Sequence, residues 1–272
     1  MMFTKTARHI YLAASALLLC TTFASADWTN PFWSDDFSDG NLANPSWVTA
    51  TGTPSAGYQI DWWEGDIRFR TTAPYNAAPY NGGWVAAYVP DAHGDQGLRG
   101  WVDTSPALSD NWASLFFVRY SPPSAAFGTG YALSVSHLAS GAVAAQLYQL
   151  NDSGYSEICD PYLVSATYSD VWMRMMVTGT GPDTLLRARV WRDGEAEPTT
   201  WNLSSANPGA EAGITAFYDS GSAGVGVLGT DPSASPVAWF DDLSYGTPEP
   251  GTMLLMAAGL SALAVRVRRR KA

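Results

Sequence analysis

Carboxylates and tryptophans are the side chains of this sequence best suited to acid–base chemistry and to stacking on a ligand. Two carboxyl groups roughly 5 to 9 Å apart can hydrolyse a glycosidic bond. The nearest approaches to such a pair are Asp61-Trp62-Trp63-Glu64-Gly65-Asp66 and Glu157-Ile158-Cys159-Asp160. Glu64 and Asp66 alternate and so can share a face, but Gly65 between them reads as a turn. Indole rings offer a different use, because an exposed ring face stacks on the apolar face of a sugar. Trp62, Trp63, Trp84 and Trp101 lie in or beside the loop-rich first half of the chain. Adjacent Trp62 and Trp63 must point to opposite sides of a strand, so at most one of them faces a core. Packing is nevertheless the commoner use of any single tryptophan. His93 and His137 are far apart and lack metal-ligand spacing: His93 reads as a loop residue and His137 as the end of a strand. The sequence has no Ser/His/Asp, Walker or dinucleotide signature.

The elements that must position these residues are short β-like runs broken by Gly, Pro, Asn and Ser, with no long amphipathic helix. Expected strands are 58–62, 67–71, 84–89, 114–120, 131–137, 143–150, 171–178, 185–191, 213–217, 224–228 and 237–245. Tyr131, Leu133 and Val135 share one face of their run, and Arg187-Ala188-Arg189-Val190 alternates with its guanidinium groups outward. The stretches 73–83 and 91–110 read as long irregular loops. This is an all-β pattern, a two-sheet antiparallel sandwich or a barrel.

From Trp172 to Trp201 the chain resembles the central hairpin of concanavalin A-like (LamG-like) jelly rolls. The resemblance is carried by Trp172-Met173-Arg174-Met175-Met176-Val177, a Gly-rich turn, Leu185 to Trp191, then Arg192-Asp193-Gly194 and Trp201. Asp193-Gly194 supplies the positive φ of a tight turn, and Trp191 and Trp201 are placed to clasp it. Such domains often open on an Asp-Asp-Phe segment and close on Phe-Asp-Asp, here Asp35-Asp36-Phe37 and Phe240-Asp241-Asp242. The resemblance implies that the first and last strands pair, bringing Asp36 near Asp241. Two carboxylates with neighbouring carbonyls are the hard oxygen ligands of Ca²⁺, and Asp39 and Asn41 lie on the next turn, so a structural calcium is one expectation. The other is that Ser38-Asp39-Gly40-Asn41 is only a polar turn. The glucanase branch of the fold carries Glu-x-Asp-x-x-Glu on one strand, a spacing that this sequence lacks.

Both ends of the chain read as addresses. Residues 1–26 combine Lys5 and Arg8, an apolar run from Ile10 to Leu19 and Ala24-Ser25-Ala26, a secretory signal with cleavage expected after Ala26. Cys20 follows Leu19 rather than the small residue of a lipobox. The other end reads Thr247-Pro248-Glu249-Pro250-Gly251, an apolar run from Met253 to Val265, then four arginines and Lys271. About 14 residues rise roughly 21 Å as a helix, short of the bilayer's hydrocarbon core, which suits a transient anchor, and the basic end is expected to stay cytoplasmic. This order resembles the PEP-CTERM sorting signal of Gram-negative bacteria. The resemblance implies an exosortase, a membrane-embedded cysteine transpeptidase, cutting at or near Pro248, Glu249 and Pro250, and an association with exopolysaccharide and biofilm matrix. An ordinary tail-anchored protein is the alternative.

Trimming both signals removes seven of fifteen basic residues and only Glu249 of twenty-five acidic ones. Eight arginines then face twenty-four carboxylates, a net charge of about −16. Such a surface repels nucleic acid and anionic headgroups. With no lysine left, Schiff-base chemistry is excluded. Cys159 has no partner for an internal disulfide, so roughly 220 residues holding all twelve tryptophans must stand on one core. The expected organisation is a signal peptide over 1–26, a β-sandwich over 27–246 and a sorting signal over 247–272. The expected function is an exported, non-catalytic glycan-binding or exopolysaccharide-associated module. The alternatives are a secreted glycoside hydrolase and a self-associating matrix protein.

Overall fold

The computed structural model describes residues 31–51, 58–63, 66–71, 83–103, 112–122, 128–138, 140–151, 154–167, 170–206, 217–229 and 237–247. In chain order the strands are β1 (Pro31–Asp35), β2 (Val48–Thr51), β3 (Tyr58–Trp63), β4 (Asp66–Thr71), β5 (Gly83–His93), β6 (Gln96–Asp103), β7 (Trp112–Ser121) and β8 (Thr129–His137). They continue with β9 (Val143–Asn151), β10 (Gly154–Glu157), β11 (Tyr162–Ser165), β12 (Val171–Thr178), β13 (Leu185–Arg192), β14 (Leu203–Ala206), β15 (Gly221–Gly229) and β16 (Val237–Gly246). One 3₁₀ turn, Gly181–Asp183, joins β12 to β13. Among the described residues no helix is long and apolar enough to cross a membrane. The expected signal and C-terminal helices lie outside the described residues.

Two antiparallel sheets form. Sheet A runs β14-β13-β12-β6-β16-β4-β3, with β1 added beside β16, and sheet B runs β10-β9-β8-β7-β15-β5-β2, with β11 beside β9. First and last strands therefore pair as the jelly-roll resemblance implies, Asp35 opposite Leu243. The core is the space between the sheets, and alternation fills it. On β12, Val171, Met173, Met175 and Val177 are fully buried, while Trp172, Arg174 and Met176 turn outward. These meet Leu186, Ala188 and Val190 of β13, Leu98 and Val102 of β6, and Phe116, Leu133 and Leu147 from sheet B. Each large aliphatic or aromatic side chain so buried contributes about 1.5–3 kcal/mol. Cys159 is half-buried and packs against this cluster.

One expectation is corrected. Residues 91–103 are not a loop but the end of β5 and all of β6, joined by a turn at Gly94-Asp95. Of the glycines that suggested a loop, Gly100 serves packing: a Cβ there would lie 2.3 Å from Leu243 Cδ2. His93 accordingly ends a strand, its ring stacked on Phe32 at 3.5 Å, and His137 ends β8, buried, as expected. The expected strand 213–217 and the loop 73–82 lie outside the described residues.

At one end of the sandwich Arg119 ties three connections together. Its side chain is fully buried. Nε donates to the Gly94 carbonyl at 2.7 Å, one terminal nitrogen to the Tyr218 carbonyl at 2.8 Å and the other to that of Gly179. Gln96 completes the corner, accepting the Arg119 N–H at 2.8 Å. Asp95 and Asp219 each accept a backbone N–H at 2.9 Å, from Gly179 and Gly181. Burial pulls the guanidinium below its ordinary pKa, while Tyr131, Asp95 and Asp219 pull it back.

Candidate functional site

Strand register builds an ordered surface on the outward side of sheet A. Ser34, Ser244, Arg99, Arg174 and Arg189 are successive cross-strand partners over β1, β16, β6, β12 and β13. One step along the strands the partners are Asp241, Trp101, Trp172 and Trp191. A bulge makes the two rows meet at β16. The register shifts between Asp241 and Ser244, Asp242 takes φ 49°, and the core side chains change phase from Ala238 and Phe240 to Leu243 and Tyr245. An extra residue in one strand lets consecutive carboxylates leave the core together, which regular pleating forbids. Phe37, φ 51°, makes a similar kink after β1.

The segment following β13 folds back over this face. Gly194 takes the positive φ of its turn, 79°. Glu197 accepts from Arg189 at 2.8 Å and lies 3.2 Å from Arg174 through the same oxygen, while its other oxygen is 3.7 Å from Arg99 Nε. The indoles serve the guanidinium groups: Arg99 lies 4.3 Å over Trp172, and Arg189 lies 4.1 Å over Trp201. Trp172 donates its N–H to Asp193 at 2.9 Å and faces Trp191 at 6.2 Å. The clasp expected of Trp191 and Trp201 is thus shared with Trp172, and each ring is tied to an arginine.

Beside these rows opens a groove of about 490 Å³, walled by Ser34, Asp35, Asp36, Arg99, Asp242 and Ser244. Its carboxylates differ in environment. Asp35 is buried and accepts from the Phe37 N–H and the Trp47 indole, both at 2.8 Å. Burial pushes its pKa up, and those two donors only partly counter the effect. Asp36 is exposed, and the side chain and N–H of Ser38 hold it below the ordinary carboxylate value. Each oxygen of Asp35 thus accepts one hydrogen bond from the protein. The groove offers acceptors, hydroxyls and one guanidinium, with Pro31 and Leu243 completing its lining.

The sequence candidates distribute unevenly around this site. Trp101 is half-buried in the second row, and Asp36 walls the groove. Asp241 lies opposite Trp101, and it is the neighbouring Asp242 that reaches the groove. Trp62 and Trp63 are on β3 at the far edge of the same sheet, opposite Ile67 and Asp66, whereas Trp84 is in sheet B opposite Leu228. The four tryptophans are therefore not brought into one cluster. Ala26, Glu64, Pro248, Glu249 and Pro250 lie outside the described residues. For calcium, no group of three or more acidic, His or Cys side chains gathers among the described residues. Asp36, Asp39 and Asp241 each spend an oxygen on a nearby backbone N–H. No role is derived for calcium at these residues. Arg99 and Asp242 were missed: Arg99 lay in the stretch read as loop, although Leu-Arg-Gly-Trp alternates.

Known structures agree on the all-β fold of two packed sheets. A xylan β-1,4-xylosidase from Bacillus halodurans C-125 superposes with a TM-score of 0.51 at 12% identity, over 82% of this chain and 40% of that one. The chain thus spans two fifths of the xylosidase's length. An endo-acting O-glycanase structure, one of those that members of the human gut microbiota express to initiate mucin breakdown, superposes at 0.51 and 11% identity over 81% of this chain and 100% of its own. A galectin-like protein of unknown function from Bacillus subtilis gives 0.48 at 12% identity, covering 81% and 97%. At such identities the likeness is one of fold. No curated protein sequence matches the chain. Residues 247–270 match the PEP-CTERM protein-sorting motif. The chain carries that signal behind its jelly roll, which marks it as an exported protein, anchored in the membrane and then released by an exosortase.

Proposed function

We propose that the released domain is a non-catalytic glycan-binding module of the cell surface or extracellular matrix, where it associates with extracellular polysaccharide. The observation that carries this reading is the groove on sheet A beside Trp101. Its hydroxyls, carboxylates and guanidinium match the hydrogen-bonding groups of a sugar, and a half-buried indole stands one register step away. The sorting motif supports it, because export takes the domain to the side of the membrane on which extracellular polysaccharide lies.

The test is a glycan array probed with the full-length protein, followed by a reducing-end assay on every glycan bound. Binding without release of reducing ends is expected, and Trp101→Ala should weaken it on the order of tenfold, the 1.4 kcal/mol of one stacking contact. Release of reducing ends would assign a hydrolase instead. No glycan bound, with concentration-dependent oligomers, would assign a self-associating matrix protein.

A further inference from the structure

We propose that the groove recognises a saccharide bearing a carboxylate, a uronic acid, and that Arg99 is the residue receiving the acid group. This rests on the glycan-binding reading above and names its ligand class. The first observation is where the scarce cations stand. Between residues 27 and 246 there are eight arginines and no lysine. Seven stand on strands of sheet A, two on β4, one each on β6 and β12 and three on β13, while sheet B holds only Arg119, consumed by its three carbonyls. In so acidic a chain, cations confined to one sheet make that sheet the place where an anion can approach.

The second observation is how three of them are arranged. Arg99, Arg174 and Arg189 face one another directly across adjacent strands, an arrangement that is destabilising for like charges. One carboxylate serves all three, and unequally. Glu197 spends one oxygen on Arg189 and Arg174, and its other stops 3.7 Å from Arg99, beyond hydrogen-bond range. Arg99 Nε is buried and has no hydrogen-bond partner among the described residues; Arg189 Nε shares that state, but its terminal nitrogens donate to Glu197 and the Thr199 carbonyl.

Arg99 is also the member of the row that lines the groove. Its guanidinium carbon lies 4.3 Å from the centre of the Trp172 ring, a contact that restrains the planar fork before any ligand arrives. A carboxylate matches such a fork with two parallel hydrogen bonds. Across the groove, exposed Asp36 and Asp242 accept the hydroxyls of a sugar ring and repel a polymer charged on every side. One acid group per ring with hydroxyls around it satisfies both walls, and a densely sulfated chain satisfies only one.

The experiment is calorimetric titration of the full-length protein in detergent with alginate, polygalacturonate and glucuronan oligosaccharides, each paired with its carboxyl-reduced counterpart, alongside the neutral glycans of the array. At least one acidic oligosaccharide should bind tenfold or more tightly than its reduced partner, with the gap narrowing as salt is added. Arg99→Gln should close the gap between the acid and its reduced form, whichever level the reduced form then takes. Ser244→Asp, which seats a carboxylate beside Arg99, should do the same and serves if the first variant does not fold. Equal binding within every pair, or a preference that survives both variants, overturns the carboxylate inference while bound reduced or neutral glycans leave the groove reading standing. Failure of every acidic, reduced and neutral glycan to bind overturns both.

Discussion

Replacing Arg119 by methionine keeps the length and apolar stem of the side chain and deletes the guanidinium. Three charge-assisted hydrogen bonds disappear, to Gly94, Tyr218 and Gly179, each worth about 1.5–3 kcal/mol in isolation. Their sum is not the expected loss, because the freed carbonyls sit in connecting segments that can open to water. Breaking one partner of a buried charged network typically costs about 3–5 kcal/mol, and that is the expected range here. For a domain of this size it lowers the melting temperature by about 6–20 °C. Arg119→Lys keeps the charge but cannot reach three carbonyls at once, so it should lose most of the same stability. Arg119 also takes φ 48°, so Arg119→Gly should be about 1 kcal/mol less damaging than Arg119→Ala despite glycine's chain entropy. The assay is thermal and urea denaturation with amide hydrogen exchange, in which the new exposure should concentrate at 93–96, 179–184 and 217–221. A methionine variant melting within about 2 °C of the parent, or exchange rising evenly over both sheets, would refute the reasoning.

Other outcomes follow from the same packing. Gly100→Ala should cost about 1–3 kcal/mol by urea denaturation, since its methyl group meets Leu243 Cδ2 at 2.3 Å, and Leu243→Ala in the same chain should recover part of that loss non-additively. Asp35 binds its proton more tightly in the folded chain than its ordinary value of 3.8 implies, so its contribution is complete below 3.8 and is lost as pH rises through the folded value. Urea midpoints of Asp35→Asn should therefore gain on the parent as pH rises above 3.8. Asp36 has the opposite sign: its contribution is present above 3.8 and lost as pH falls through the lowered folded value, and Asp36→Asn should remove that acid loss. Chelator should leave the melting temperature unchanged, because Asp36, Asp39 and Asp241 already close local turns. A rise of several degrees on adding calcium would contradict that assignment.

The sequence was most legible where burial is one-sided. On β12 and β13 the apolar residues recur every second position, so both strands were read to within a residue, and with them the all-β class, while the pairing of the two ends came from the jelly-roll resemblance. β2, β10, β11 and β14 have four residues each, too few for alternation to stand out from turn composition. Trp101 was singled out by its type alone, and it stands opposite Asp241, next to a residue that walls the groove. Asp242 was not, because its outward turn depends on a bulge at a non-glycine residue, which propensity does not announce. Nothing local marks Arg119 either: its carbonyl partners Gly179 and Tyr218 lie 60 and 99 residues away, and only the folded end of the sandwich makes them neighbours.

Gly100 links the misread strand to the site. Its missing side chain admits Leu243 Cδ2, and a Cβ there would also lie 3.1 Å from the Asp241 carbonyl. Leu243 can then enter the core one position out of phase with Phe240, and the residues between them, Asp241 and Asp242, are left on the outward side. A bulkier residue at position 100 would push β16 toward regular pleating, where Asp242 would have to point into an apolar interior at a cost that no carboxylate pays without partners. The composition that made 91–110 look like a loop is therefore the condition under which β6 can hold Arg99 and Trp101 beside a doubled carboxylate. The groove on sheet A follows from a glycine chosen for closeness, not for flexibility.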